Sequence, residues 1–189
     1  MTKDAKLLSK ILVLTAPSGT GKTTIADMLT KDPDFAFSVS ATSRRRRKGE
    51  VKGKAYLFMT KEEFKEKIKN REFLEYSMTN GNYYGTLKSH LRQLLAKAKY
   101  VICTMDYNGL EPMRKAFPGR VVSIFMRPPS KAELEERLKK RGSSDRDIKL
   151  RMATYDDFLS HAHRYDYVIV NSDLLRTAVN IKDILKNAG

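Results

Sequence analysis

Between residues 11 and 24 an apolar run, Ile11-Leu12-Val13-Leu14-Thr15, leads directly into Ala16-Pro17-Ser18-Gly19-Thr20-Gly21-Lys22-Thr23-Thr24. A buried strand, a glycine-rich turn and a helix start, in that order, leave few folds open. Gly19 and Gly21 let backbone N–H groups turn inward around an anion, and the helix N-terminus adds partial positive charge. Lys22 is placed to reach the outer phosphates of a triphosphate, and the Thr23 hydroxyl to ligate Mg²⁺. The run is a P-loop, with Ala16 where the pattern has its first glycine. Alanine is tolerated there if its backbone angles are ordinary; a positive φ would strain it by about 1–2 kcal/mol. The plain alternative is a glycine turn that only starts a helix, and the strand before it and helix after it weigh against that.

Further along, apolar runs alternate with amphipathic stretches, the pattern of an α/β fold with a parallel sheet. Buried strands are expected at Ile11–Thr15, Phe37–Ala41, Tyr100–Met105, Val121–Met126 and Tyr167–Val170. Helices are expected at about Gly21–Thr30, Lys61–Lys69, Leu87–Ala98, Ser130–Lys140, Asp145–His161 and Leu174–Lys186. Thr60 with Glu63 and Ser130 with Glu133 read as capping boxes. Leu87, Leu91, Leu94 and Leu95 share a helix face that core packing explains. The stretch from about Arg44 to Thr86 is richer in charge and turns, with short strands at Tyr56–Met59 and Phe73–Met78 and a tight turn at Asn80-Gly81. It reads as a small lobe inserted between two strands of the main sheet.

The chain has 189 residues, the size of one domain with perhaps an added lobe. Its single cysteine, Cys103, excludes an internal disulfide framework and sits in an apolar run, as a buried inert thiol would. Residues Met1 to Lys6 are not followed by a secretory leader, and no apolar run approaches a membrane span. A cytoplasmic setting is expected. The net charge of +15 attracts polyanions, whether nucleic acid, anionic membrane or phosphorylated small molecules.

Four clusters decide among these partners. The first is Ser38 to Glu50, with Ser40 and the run Arg44-Arg45-Arg46-Arg47; Arg44 and Arg47 can grip a monophosphate with forked donors. Taken alone, that run suits a nucleic-acid patch equally well. Then come Gly53-Lys54-Ala55-Tyr56, Glu72-Phe73-Leu74-Glu75-Tyr76 and Gly81-Asn82-Tyr83-Tyr84-Gly85-Thr86.

In order and spacing these clusters resemble the guanylate kinase family, over about Ile11 to Leu185. The resemblance implies a P-loop kinase fold with a five-stranded parallel core sheet flanked by helices. A GMP-binding lobe would span about 43–86, set in a core of about 1–42 and 87–189, with an arginine-bearing lid at about 137–155. It implies transfer of the ATP γ-phosphoryl group to GMP, and to dGMP as well, with Mg²⁺. Ser18 to Thr24 would then bind ATP, with Asn171 near its adenine. Ser40, Arg44, Arg47, Glu50, Tyr56 and Tyr84 would serve the GMP phosphate side. Glu75 suits guanine chemically, since a carboxylate accepts from N1–H and N2–H while the Thr86 hydroxyl donates to O6; adenine offers no N1–H. Asp106 would contact the base or the metal region.

By the same resemblance Arg137, Arg141 and Arg151 are lid and anchor arginines that, with Lys22, stabilise the transferring charge. Without it they would read as solvated helix-face charges. Besides Ala16, the chain departs at Arg45-Arg46, where the family often has proline. It departs again at Thr104, where the family usually has a first acidic residue before that of Asp106. Two other readings compete: a P-loop kinase for a sugar phosphate, and a guanylate-kinase-like module that binds without catalysis. Glu75, Tyr84 and Thr86 speak against the first, and the intact P-loop against the second. Nucleic-acid binding would be at most non-specific, and a homo-oligomer stays open.

Overall fold

The computed structural model of the chain describes residues 9–188 apart from 48, 52 and 80. Met1 to Lys6, Lys48 of the basic run and Asn80 of the expected turn lie outside the described residues. The chain begins with β1 (Lys10–Thr15), α1 (Lys22–Leu29), β2 (Phe35–Ser38), β3 (Ala41–Thr42), β4 (Leu57–Phe58) and α2 (Lys61–Lys69). Next come β5 (Phe73–Thr79), β6 (Asn82–Leu87), α3 (Lys88–Leu95), β7 (Tyr100–Thr104), α4 (Leu110–Ala116) and β8 (Val121–Arg127). It ends with α5 (Lys131–Lys140), α6 (Asp145–Ala153), α7 (Tyr155–Ser160), β9 (Tyr167–Val170) and α8 (Leu174–Asn187). Five strands form a parallel sheet in the order β2-β7-β1-β8-β9, flanked by helices, as the sequence leads one to expect for an α/β P-loop kinase. Ile11 to Leu14 are fully buried, the mark of a strand covered on both faces.

The chain divides into two compact units, with the division falling inside β1. The first unit holds Pro33–Val121 and the chain up to Ile11. Here β2 pairs with β7 from Phe35↔Tyr100 to Ser38↔Cys103, and a second sheet runs β4-β3-β6-β5. Its core gathers Ala41, Phe64 and Phe73, with the Phe64 ring stacked 4.2 Å from Phe73 and 5.2 Å from Tyr83. Burying a side chain such as Phe64 contributes about 1.5–3 kcal/mol. α2 delivers that ring, and its start is the expected capping box: the Thr60 hydroxyl accepts from Glu63 N–H while the Glu63 carboxylate accepts from Thr60 N–H. Cys103 is buried, and burial pushes its thiol up to about 12.

The second unit holds Leu12–Asp32 and the chain from Val122 onward. β8 and β9 pair in parallel, Ile124↔Tyr167 to Arg127↔Val170. α8 buries Thr177, Ala178, Ile181 and Leu185, one face at helical spacing. Leu134, Leu138, Ile148 and Tyr155 join α5, α6 and α7 in one apolar cluster.

Two expected elements come out differently. The strand expected at Phe37–Ala41 is two strands. The chain leaves β2 after Ser38 and enters the second sheet at Ala41, which pairs with Gly85 of β6. The helix expected over Asp145–His161 breaks at Thr154, whose hydroxyl bonds back to the carbonyls of Leu150 and Arg151. At Ser130 only half of the capping box forms, because the Glu133 carboxylate turns to Arg137.

Candidate active site

The second unit carries the phosphate loop. Gly19 and Gly21 stand at φ +96° and +106°, where a side chain would be strained. The loop also lies so close to its supports that a Cβ on Gly19 would come within 2.9 Å of Leu138, and one on Gly21 within 2.8 Å of the Asn171 amide. Sequence reasoning missed Leu134 and Leu138 as the floor of the loop, since two leucines in an amphipathic helix carry no mark of what they face. Ala16 is buried and is not among the residues with positive φ, so its methyl adds no backbone strain. Its carbonyl accepts from Lys22 Nζ.

α1 starts at Lys22 with Gly21 at its N-cap, and its first turn holds no acidic residue. Its first N–H groups therefore have no capping side chain, and an anion suits them. Thr23 and Thr24 are exposed on that turn, while Thr20 is fully buried. The Lys22 ammonium is pushed down to about 8, by burial first and by the Arg151 charge second. The Arg151 guanidinium donates to the exposed Ser18 hydroxyl of the loop. Of the three arginines singled out in the sequence, Arg151 on α6 thus meets the loop. Arg137 on α5 pairs with Glu133 at 2.6 Å and donates to the Asn171 carbonyl at 3.0 Å. Arg141 is exposed at the C-cap of α5. Asn171 is buried, with its amide turned toward Thr20 and Thr177.

The first unit carries the other group of candidates. The β5–β6 hairpin sets Glu75 opposite Thr86, and the Thr86 hydroxyl donates to Glu75 Oε1 at 2.6 Å. The Glu75 carboxyl is only 9% exposed and is pushed up to about 7, by burial first, with the Asp106 charge adding to it and the Thr86 bond opposing. Asp106 caps the short 3-10 turn Tyr107–Gly109, accepting from Asn108 N–H at 3.0 Å. That turn brings Gly109 so near that a Cβ there would sit 3.2 Å from Glu75 Oε2.

Arg44 is gripped by both oxygens of Glu50, at 2.7 and 3.1 Å, and its guanidinium lies over the Tyr56 ring at 5.3 Å. Tyr84 meets Tyr56 edge-on at 5.9 Å. Glu50 also accepts from Arg47 N–H at 2.7 Å, so one carboxylate shapes the loop from both ends. Its pKa is lowered, chiefly by the Arg44 bond. The Arg47 side chain is exposed, and the Ser40 carbonyl accepts from Leu57 N–H where β4 joins the sheet. The structure therefore brings Arg44, Glu50, Tyr56 and Tyr84 into one cluster, with Glu75, Thr86 and Asp106 forming another. Tyr83 packs in the core instead, on Phe64.

The guanylate kinase family model matches residues 8–188. A guanylate kinase of Maricaulis maris is 44% identical over 177 residues, which cover 93% of this chain and 81% of that protein. One from Rickettsia felis is 43% identical, over 93% of this chain and 92% of its own length. The crystal structure of guanylate kinase from Anaplasma phagocytophilum superposes with a TM-score of 0.79 at 36% identity, covering 95% of this chain and 86% of that one. With a phosphate loop in one unit and a buried carboxyl–hydroxyl pair in the other, and with a family match over nearly all its length, the chain belongs to the guanylate kinase family.

Proposed function

We infer that this protein transfers the γ-phosphoryl group of ATP to GMP, giving ADP and GDP. The observation that carries the acceptor is Glu75, buried opposite Thr86 and paired with its hydroxyl, a carboxyl–hydroxyl set that matches a base edge. Guanine N1–H and N2–H donate to such a carboxylate, and O6 accepts from the Thr86 hydroxyl once that hydroxyl turns its one proton from Glu75 to the base. Adenine would set an unprotonated N1 against it, a mismatch that buried polar sites reject strongly. A sugar phosphate has no such edge to read. A module that only binds has no need of Lys22 on an intact loop.

In this reading Ser18, Gly19, Thr20, Gly21, Lys22, Thr23 and Thr24 cradle the ATP phosphates, and Asn171 belongs to the same side. Arg44 and Arg47, with Ser40, Tyr56 and Tyr84, hold the GMP phosphate, and Glu50 keeps Arg44 oriented. Asp106 serves the base alongside Glu75. These assignments address base and phosphate but not the 2′-hydroxyl, so dGMP is an acceptor as well. The lobe at about 43–86 carries the acceptor residues other than Ser40 and Asp106, and the lid at about 137–155 carries the three arginines. Phosphoryl transfer calls for positioning and charge stabilisation rather than covalent chemistry. Lys22, Arg137, Arg141 and Arg151 supply the positive charge for it.

Among the described residues no group of three or more His, Cys, Asp or Glu side chains is placed to hold a metal ion. Mg²⁺ that takes its other ligands from phosphates and water needs no such group, and one hydroxyl on the first turn of α1 suits it. Thr23 would hold it, and the ion would neutralise charge on the β- and γ-phosphates. No described helix is long and apolar enough to cross a membrane. A cytoplasmic location goes with the reactants rather than with any feature of the fold.

The test is ADP release from Mg·ATP with GMP, dGMP, AMP, CMP and UMP compared as acceptors. Turnover confined to the guanine nucleotides is expected. Saturable GMP binding without turnover would return the protein to the class of binding modules.

A further inference from the structure

Asn171 follows β9 directly and is 1% exposed, an unusual place for an amide unless every polar atom is used. Its Nδ2 donates to the Thr20 carbonyl at 2.6 Å. Its Oδ1 accepts from the Thr177 hydroxyl of α8 at 2.9 Å. Its backbone N–H donates to the Arg127 carbonyl at the end of β8, and its own carbonyl accepts from Arg137. A carbonyl only accepts, so the Thr20 contact fixes which way the amide lies. Both ends of the side chain are thus engaged with the protein itself.

Thr20 lies between the two glycines of the loop, is fully buried, and closes the loop's own turn through its N–H to the Pro17 carbonyl at 3.2 Å. A trans peptide holds its C=O and the next N–H in opposite directions. Drawing the Thr20 carbonyl back onto Asn171 therefore aims the Gly21 N–H the other way, into the concave side where a phosphate is cradled.

We propose that Asn171 is a positioning residue for the phosphate loop, holding it through the Thr20 carbonyl and itself held by the Thr177 hydroxyl. The proposal rests on reading residues 16–24 as the ATP phosphate site. Asn171 acts on the phosphates through the loop and reads no base. Thr177 carried no signal in the sequence, being one position in an amphipathic helix.

Asn171→Asp keeps the shape and the acceptor for Thr177 but sets a carboxylate oxygen against the Thr20 carbonyl. Thr177→Val removes the hydroxyl, and Thr177→Ser restores it. Each variant is assayed with Mg·ATP and with Mg·ITP, whose hypoxanthine lacks the 6-amino group of adenine. Binding of inorganic tripolyphosphate, which has no base, is measured by calorimetry. For Asn171→Asp, kcat/KM should fall on the order of 10²-fold with both donors alike, as a loop misplaced by about an ångström implies. Tripolyphosphate affinity should fall with it, while KM for GMP stays within about twofold, the Asn171 network and the GMP residues lying in different units. Thr177→Val should give the same pattern at about tenfold, one hydrogen bond's worth, and Thr177→Ser should recover wild-type values. A loss with ATP that spares ITP and tripolyphosphate makes Asn171 a base contact and overturns the proposal, as does wild-type tripolyphosphate binding in both variants. Should Asn171→Asp not fold, the Thr177 pair decides alone. Should the wild type not phosphorylate GMP, tripolyphosphate binding still reads the loop, so the two failures stay distinct.

Discussion

In the second unit a buried cation has its pKa pushed down; in the first a buried carboxyl has its pKa pushed up. Lys22 lies against another positive charge, Arg151, bonds to a carbonyl, and is pushed down to about 8. Glu75 lies against another carboxyl, Asp106, takes its bond from a hydroxyl, and is pushed up to about 7. Burial is the leading cause in both, since it penalises the charged form whatever its sign. A triphosphate would supply negative charge to Lys22, and a guanine edge would supply N–H donors to Glu75. The chain's charge of +15 shows how local this is, because an overall excess of cations coexists with a carboxyl whose shift is set by burial, the Thr86 hydroxyl and Asp106.

Removing the cation should give the largest effect. Lys22→Met keeps the stem and deletes the charge, and kcat should fall by about 10³-fold or more, as loss of a transition-state charge partner does. KM for GMP should move less than about twofold if the two units answer to separate substrates. A comparable rise in both KM values would break the comparison, and steady-state kinetics with each substrate varied reads it.

Glu75→Gln is the counterpart in the first unit. The amide keeps the shape but offers an N–H where guanine also offers one, so kcat/KM for GMP should fall by about 10²-fold. KM for ATP should hold within about twofold. The ratio of GMP to AMP turnover should fall with it. If both purines lose equally, Glu75 supports the hairpin rather than the base.

The pH dependences should have opposite signs. Below about 7 Glu75 holds its proton without substrate and must release it to accept from guanine, so GMP affinity should rise with pH up to that point and then level. Above about 8 Lys22 is neutral without substrate and must take up a proton to meet a triphosphate, so ATP affinity should fall as pH rises further. Calorimetry in two buffers of different ionisation enthalpy measures both. Proton release with GMP at pH 6.5 and uptake with ATP at pH 8.5 are expected. The GMP phosphate also titrates near pH 6. Glu75→Gln separates the two sources, because it removes only the share that belongs to the protein.

What could be read in the chain beforehand follows the same division between local and distant. The P-loop is legible because its residues are contiguous and each has its own chemical reason. The Thr60 cap is legible for the same reason. Glu75 and Thr86 lie eleven positions apart, but a hairpin joins them and both residue types match one base edge. Asn171 was read as an adenine neighbour, and nothing in its surroundings announces a bond to Thr20, 151 residues away. The switch of sheets after Ser38 was hidden too, because apolar residues continue across it and only pairing with Gly85 reveals the second strand. Glu50 shows the middle case. Its place in the motif was visible, while its bidentate hold on Arg44 depends on how the loop closes.

Thr104 carries the smallest expected change. It ends β7, partly buried, two residues before Asp106, at the position where the family resemblance leads one to expect a first acidic side chain. A partly exposed carboxylate that helped to organise Mg·ATP would contribute on the order of 0.5–1 kcal/mol. Thr104→Asp should therefore raise kcat by about two- to fivefold at saturating substrates. The same charge also joins the unit that already holds Glu75 and Asp106. A like charge there would lift Glu75 further and carry the rise of GMP affinity to higher pH. A raised kcat with the GMP pH profile unmoved would show the new carboxylate acting on the donor. An unchanged or lower kcat with the profile displaced upward would show it acting only on its own unit. The native threonine would then spare the acceptor carboxyl a second negative neighbour beside Asp106.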